Sequence, residues 1–260
     1  MNIIVCVKQV PDTADIKWTE KNTLNREGVE SITNPCDLYA TDIALKIKEK
    51  EKTTAISMGP IQAISSLREV LALGIDEAFL LNDKNFAGSD TAATARVLAA
   101  AIKNKIEKFD LIICGQYAID GDTAQTGPSL AQLLNISLVT NVIKIENIKE
   151  KSIIVQKQGN KGIERIEATL PALICVQKND YEIKLPTILG RIKAQDYQIP
   201  VYNAIDININ GEETGFKGSP TYVKKAFKPE GRAAGEIITD KTSIEAAEFI
   251  INKINDLTKG

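Results

Sequence analysis

The residues of this chain best suited to chemistry lie in one polar stretch: Gly115, Gln116, Tyr117, Ala118, Ile119, Asp120, Gly121, Asp122, Thr123, Ala124, Gln125, Thr126, Gly127 and Pro128. The stretch leaves an apolar run at 110–114 and enters a helical pattern through Leu130, Leu133 and Leu134. Glycines permit close backbone approach, and small polar side chains add donors. A helix start presents free N–H groups at the positive end of a dipole. Those features suit a phosphate or pyrophosphate. Pro128 fits the first turn of the helix, with Gly127 or Thr126 near the cap. A start at Asp122 would set Pro128 inside the helix, at a cost of about 3 kcal/mol unless the helix kinks. The stretch is neither a Walker A loop nor a G-x-G-x-x-G turn. Asp120 and Asp122 would repel phosphates, so amide capping, bracing of the turn or contact with ribose hydroxyls suits them better. A tight turn and helix cap without a ligand is the alternative reading of this loop taken alone.

Three shorter segments have the same character. Cys6 to Asp12 (CVKQVPD) follows the first apolar run, where Lys8 is either an anion partner or a solvated charge. Ser57-Met58-Gly59-Pro60 follows the second run. Asn34-Pro35-Cys36-Asp37 leads into a helical pattern. There Asp37 is expected as the N-cap, and Asn34 or the neighbouring backbone as a reader of a nucleotide base.

Composition excludes several chemistries. The 260 residues contain no histidine, which removes histidine triads, His-ligated zinc and haem, and imidazole acid–base catalysis. The four cysteines, Cys6, Cys36, Cys114 and Cys175, form no C-x-x-C pair, so neither a zinc ribbon nor an iron–sulfur set is visible. Cys6, Cys114 and Cys175 sit in hydrophobic runs and read as small buried side chains. No metal site and no catalytic side chain are expected; electron handling would fall to an organic cofactor. The net charge of −2 does not mark a nucleic-acid or anionic-membrane binder. No apolar run approaches the ~18 residues of a membrane span, and the start MNIIVCVKQV reads as a strand without a basic leader, so the expected location is cytoplasmic.

The elements that must position these segments are strands and helices in alternation. Short apolar runs at 2–7, 53–58, 77–81 and 110–114 predict strands covered on both faces. Between them, apolar residues recur at helical spacing: Ala40, Ile43, Ala44 and Ile47; Ile64, Leu67 and Leu71; Ala95, Leu98, Ala99, Ile102 and Ile106. The fold class is therefore α/β, a mostly parallel sheet with flanking helices. Its ligands are expected beyond the carboxyl ends of the strands. Segments 139–145, 152–157, 163–169 and 172–177 predict a run of further strands, a hairpin-rich antiparallel extension, with Pro171 opening the last. Residues 201–236 hold many glycines and prolines and cannot build their own core. Phe216, Tyr222, Val223 and Phe227 favour an arm lying on another surface. A helix follows, with Thr242 and Glu245 as a capping box and an apolar face of Ile244, Ala247, Phe249, Ile250, Ile251, Ile254 and Leu257. The expected division is an α/β nucleotide-binding domain over 1–200 and an arm with its helix over 201–260, docked on a partner subunit or back on its own domain.

With these residues assembled, the chain resembles the β subunit of electron transfer flavoprotein. The motifs are VCVKQVPD, NPCDLYA, SMGP, GQYAIDGDTAQTGP, LPTILGRIKA and GSPTYV, in the family's order along essentially all of the chain. The resemblance implies an adenine-nucleotide-binding, universal-stress-like fold whose C-terminal arm wraps an α subunit in a heterodimer. It places the adenine nucleotide against residues matching Cys6, Asn34 to Asp37, Met58 and Gly115 to Thr126; Lys8 and Gly127 complete the candidate set. It also implies a partner-recognition loop at 184–191, with Leu185, Pro186 and Ile188 facing an acyl-CoA dehydrogenase. An exposed leucine beside a proline suits a hot spot.

The family divides over what this site holds. Single-flavin members keep AMP there as a structural element. Electron-bifurcating members hold a second FAD that takes a hydride from NADH. One electron then goes to the α-subunit FAD and one to ferredoxin or flavodoxin. The AMP type tends to carry bulkier residues where this chain has Gly121 and Ala124, so the resemblance points to FAD and the bifurcating type. The alternatives are an AMP-holding β subunit and, from another class, a universal-stress-type nucleotide-binding regulatory domain without a flavoprotein partner.

Overall fold

A computed structural model of the chain describes residues 1–12, 17–18, 24–25, 30–178, 182–224, 235, 237, 239 and 241–258. Strands β1 (Ile3–Cys6), β2 (Gln9–Pro11), β3 (Lys17–Trp18), β4 (Leu24–Asn25) and β5 (Ser31–Thr33) lead to helix α1 (Pro35–Ile47). Then come β6 (Thr53–Met58), α2 (Ile64–Leu73), β7 (Glu77–Leu81), α3 (Thr91–Lys105), β8 (Leu111–Gly115) and α4 (Thr126–Leu134). The chain continues through β9 (Ser137–Ile148), β10 (Ser152–Gly159), β11 (Gly162–Thr169), β12 (Ala172–Val176), α5 (Ile188–Asp196), β13 (Val201–Tyr202), α6 (Gly215–Gly218) and α7 (Ser243–Thr258).

One nine-stranded sheet has the order β11-β10-β9-β12-β8-β1-β6-β7-β13. From β9 to β13 every neighbouring pair is parallel; β10 and β11 add an antiparallel end. The alternation of short apolar runs with helical patterns therefore folds as the sequence predicts: β1, β6, β7 and β8 are buried central strands. Two apolar layers cover them. Ala40, Ile43 and Ala44 of α1 and Leu67, Val70 and Leu71 of α2 pack on one face. Ala95, Leu98, Ala99 and Ile102 of α3 and Leu130 and Ala131 of α4 pack on the other. From β1 the chain steps outward through α1 and α2 to β6 and β7. It then crosses by α3 on the opposite face to β8, on the far side of β1. The order reverses between β1 and β8, the switch point at which sheets of this kind form a crevice beyond the carboxyl ends of their strands.

The reading of 139–177 needs one correction. β9, β10 and β11 are successive antiparallel strands, as expected, but β12 is not the next strand of that meander. It inserts between β9 and β8, parallel to both. The reason is legible in its residues: all five of Ala172–Val176 are buried, a run without alternation that belongs in a doubly covered parallel strand. β11, mostly exposed, forms the edge. Pro171 sits immediately before β12, where its missing N–H costs no ladder bond.

Residues beyond 200 add to the sheet. Val201 and Tyr202 pair with Leu80 and Leu81, Asp83 accepts the Ala204 N–H at 2.9 Å, and Ala204 and Ile207 are buried. The first compact unit runs through Ala226. Phe216, Tyr222 and Val223 are exposed, and Phe227 lies outside the described residues. α7 belongs to the second unit, Phe227–Gly260. Its capping box forms: Glu245 Oε2 accepts the Thr242 N–H at 2.8 Å, and Thr242 Oγ1 accepts the Glu245 N–H at 3.5 Å. Its apolar residues Ile244, Ile250, Ile251, Ile254 and Leu257 are exposed. Among the described residues no helix is long and apolar enough to cross a membrane.

Ile113, fully buried at the centre of β8, tests the sheet. Ile113→Ala should lower stability by about 2–5 kcal/mol in urea unfolding. Ile163→Ala on the exposed edge strand should change it by less than about 0.5 kcal/mol.

Candidate functional site

The crevice at β1 and β8 is built from the ends of neighbouring strands. Cys6 of β1 lies opposite Cys114 of β8, and Cys114 lies opposite Cys175 of β12. These thiols form the floor. The hydrogen bond with Cys6 and burial raise Cys114. Burial pushes Cys175 up to about 12 and also raises Cys36. Cys36, Cys114 and Cys175 therefore stay protonated near neutral pH and act as small packing groups rather than nucleophiles.

Asp37 spans the crevice above this floor. The sequence reading makes it the N-cap of α1, and the structure corrects this. Asn34 occupies the cap position, Pro35 opens the helix, and Asp37 is the third helical residue, 6% exposed. Pro35 fixes the helix start three residues earlier than a cap at Asp37 would. Asp37 Oδ2 accepts the Lys8 N–H at 2.8 Å, and Oδ1 accepts the Gly115 N–H at 3.1 Å. Burial pushes its carboxyl up to about 7; the donors from Lys8, Asn34 and Gly115 oppose that shift without cancelling it. Gly115 must be glycine here. A Cβ would lie 2.3 Å from Asp37 Oδ1 and 2.7 Å from Cys36 Cβ.

The loop after β8 is laced to the first strand and to the start of α1. Asn34 Nδ2 donates to the Tyr117 carbonyl at 2.9 Å, and Asn34 Oδ1 accepts the Ile119 N–H at 3.3 Å. Asn34 thus ties the loop to the helix start, and its side chain also bonds Asp37. Lys8 Nζ bonds both oxygens of Asp120, at 2.7 and 2.8 Å. Both partners are partly exposed, so this pair adds little net stability and serves mainly to place the loop. Asp120 therefore braces the turn. The Ala118 carbonyl accepts the Gly121 and Asp122 N–H groups at 3.2 and 2.8 Å.

Past this turn the backbone is strained. Asp122 and Ala124 have φ of 47° and 53°, which costs non-glycine residues about 1–2 kcal/mol each. Gln125 follows with φ −106° and ψ −20°. Successive residues of opposite φ sign turn their N–H groups toward one concave side, a nest that favours anions. The start of α4 continues it: the helix begins at Thr126 with Pro128 as its third residue, and Gln125 supplies no side-chain cap. Gly127 lets this helix start lie on β12, since a Cβ there would come within 2.5 Å of Cys175 Sγ. Gly121 differs. It has no positive φ, and among the described residues nothing lies within 4 Å of where its Cβ would be. The described residues give no reason for a glycine at 121.

This geometry acquires a context from known proteins. Residues 21–206 match the electron transfer flavoprotein domain. The chain is 43% identical over 260 residues to the caffeyl-CoA reductase-Etf complex subunit CarD of Acetobacterium woodii, covering 98% of each. It is 43% identical over 259 residues to the electron transfer flavoprotein subunit beta of Thermoanaerobacterium thermosaccharolyticum, again covering 98% of each. The chain belongs to the electron transfer flavoprotein family, among its β subunits. Protein FixA of Azorhizobium caulinodans is a more distant relative, 37% identical over 263 residues, covering 98% of this chain and 94% of that one.

In this family member the residues singled out from sequence fall into two places. Cys6, Lys8, Asn34, Asp37, Gly115 and the loop from Gln116 through Asp120, Gly121, Asp122, Thr123, Ala124, Gln125 and Thr126 to Gly127 gather at one edge of the sheet, where Met58, half-buried, ends β6. Leu185, Pro186 and Ile188 lie elsewhere, at the start of α5. That helix packs on α2, where a Cβ on Gly190 would come within 2.3 Å of the Ala72 carbonyl oxygen. Leu185 is 86% exposed and Ile188 79%. The sequence reading missed a polar group beside the loop. Gln116 Oε1 accepts the Asn141 N–H at 2.7 Å, and Gln177 Nε2 donates to Asn141 Oδ1 at 3.1 Å. Asn141 has φ 58°, and the β9–β12 register shifts beside it. An asparagine inside the apolar run LVTNVI was the available signal for such a bulge.

Gly121→Val is the discriminating substitution. Because its Cβ meets nothing, stability should change by less than about 0.5 kcal/mol in thermal unfolding. Nucleotide recovered from the denatured protein should fall to background; unchanged recovery would show that position 121 does not border the ligand.

Proposed function

We propose that this chain is the β subunit of a bifurcating electron transfer flavoprotein, acting in the cytoplasm as a heterodimer with an α subunit, and that its crevice holds FAD. Bound FAD would supply hydride acceptance from NADH and the division of the pair, one electron toward the α-subunit FAD and an acyl-CoA dehydrogenase, the other toward ferredoxin or flavodoxin. The residues present fit the ADP half of such a group. The nest at 122–125 and the N-terminus of α4 offer amides to a pyrophosphate. Lys8, paired with both oxygens of Asp120, braces the rim of the loop. Asn34 and the backbone beyond β1 and β6 border the space for an adenosine. The chain's own part is to bind, orient and neutralise, and no side chain here is a proton donor or nucleophile for the transfer.

The observation that carries the FAD reading is the open ground at Gly121 beside the strained loop. A site for AMP alone needs room for one phosphoryl group. A glycine unexplained by the fold, next to amides turned to one side, leaves room for a second phosphoryl group and for the ribityl chain attached to it. The name of the Acetobacterium woodii relative, a subunit of a caffeyl-CoA reductase-Etf complex, supports action within a complex.

The flavin count decides it. The purified heterodimer should contain two FAD per heterodimer by absorbance after denaturation. One FAD with one AMP would select the structural-carrier reading. A chain without a flavoprotein partner would select the universal-stress-type regulatory domain.

Two apolar surfaces fit the partners. Leu185, Ile188 and Leu189 form an exposed cluster for a dehydrogenase, and the apolar face of α7 suits the α subunit. Removal of residues 237–260 should therefore weaken the heterodimer. Size exclusion at decreasing concentration should show the truncated complex dissociating at a higher concentration than the intact one; identical elution would remove α7 from the interface.

A further inference from the structure

Asp37 stands at the switch point in a way the ligand alone does not require. Its two oxygens are bound to amides of two different strand exits, Lys8 beyond β1 and Gly115 at the end of β8. A carboxylate accepts from both at once. A carboxylic acid turns one oxygen into an O–H donor, and that oxygen then faces an N–H donor. The groups around it come from every neighbouring element. Lys8 lies on the β1 exit with its ammonium on Asp120, and Cys36 is the adjacent residue of α1. Cys6, Cys114 and Cys175 lie on the floor, and Asn34 bonds from the helix cap.

We propose that Asp37 is a positioning residue of the nucleotide site: as a carboxylate it fixes the spacing of the β1 and β8 exits, and as an acid it frees one of them, so that nucleotide affinity follows its protonation. The proposal rests on the adenine-nucleotide reading above. Burial places the carboxyl at about 7, so the change falls near neutral pH. The sign follows from the bonding: affinity rises with pH.

The test titrates ADP-ribose into the nucleotide-free full chain with its partner subunit by calorimetry. The pyrophosphate of this probe keeps its charge across the range used. Affinity should be about twofold to tenfold weaker at about pH 6 than at about pH 8, the worth of one net hydrogen bond. Asp37→Asn, which offers one acceptor and one donor at every pH, should bind weakly with no pH dependence. Backbone amide resonances of Lys8 and Gly115 in the wild-type protein, followed by NMR without nucleotide, should shift with a midpoint near 7; this holds the proposal to account even where the variant misfolds. A flat affinity profile with binding intact overturns the clamp and leaves the nucleotide reading standing. Failure of ADP-ribose to bind at either pH defeats the nucleotide reading on which the proposal rests, and unmoved amide resonances overturn the clamp whatever binds.

Discussion

A single carboxylate crossing from α1 to two strand exits is the constraint on which this site depends. The ladder sets the spacing of β1 and β8 as far as Cys6 and Cys114, and past it the chain leaves for helices on opposite faces of the sheet. Beyond the ladder Asp37 ties the two exits from the third position of α1, and the neighbouring sequence follows. Asn34 and Pro35 start the helix where Asp37 points back across the sheet edge. Cys36 is small, and Gly115 has no side chain, because β8 ends against this turn at distances a Cβ would violate. The arrangement is unfavourable for the isolated fold. The native carboxyl keeps its proton up to about 7, whereas an unfolded aspartate loses it near 3.9. The native state thus binds more protons through this window, and ionising Asp37 costs stability as pH rises through it. A buried acid that weakens the fold at neutral pH, yet fixes the geometry of a crevice, makes sense as part of a binding site.

The loop after β8 shows the same division. Lys8, Asp120 and Asn34 hold its first half with side-chain bonds. Its second half carries the strain, in Asp122 and Ala124, and contributes amides rather than side chains. Polar side chains fasten the first half of the loop; the second half is shaped by its backbone. That explains why two aspartates sit in a loop suited to an anion. One neutralises the lysine that braces it. The other occupies a φ that asparagine and aspartate tolerate better than most residues.

Much of this was legible from residue types. The short apolar runs and the three helical repeats fix a mostly parallel α/β sheet, and the run from Gly115 to Pro128 marks the loop between β8 and α4. The insertion of β12 was misread because a buried parallel strand and the last strand of a meander begin with the same apolar residues; only the absence of alternation in ALICV separates them. Asp37 was misread because Asp is a favoured cap, and a local rule outweighed the proline two residues earlier. The clamp itself depends on Lys8 and Gly115, separated from Asp37 by 29 and 78 residues. No spacing in the sequence encodes such a meeting. The Gln116–Asn141–Gln177 group was missed for the same reason.

The contrast between the glycines carries the argument to cofactor size. Gly115 and Gly127 are demanded by the protein: each would drive a Cβ into a neighbour. Gly121 is demanded by nothing among the described residues. A solvent-exposed loop position tolerates most side chains unless something else occupies the adjoining space. The turn there is already fixed by the Ala118 carbonyl, which accepts the 121 and 122 amides, and a residue of negative φ serves it equally well. What distinguishes glycine at 121 is therefore its outer side, toward the ground beyond the nest. A single phosphoryl group seated on the α4 N-terminus would leave that ground unused. A second one, with the ribityl chain of a dinucleotide behind it, would cross it, and a side chain at 121 would meet it.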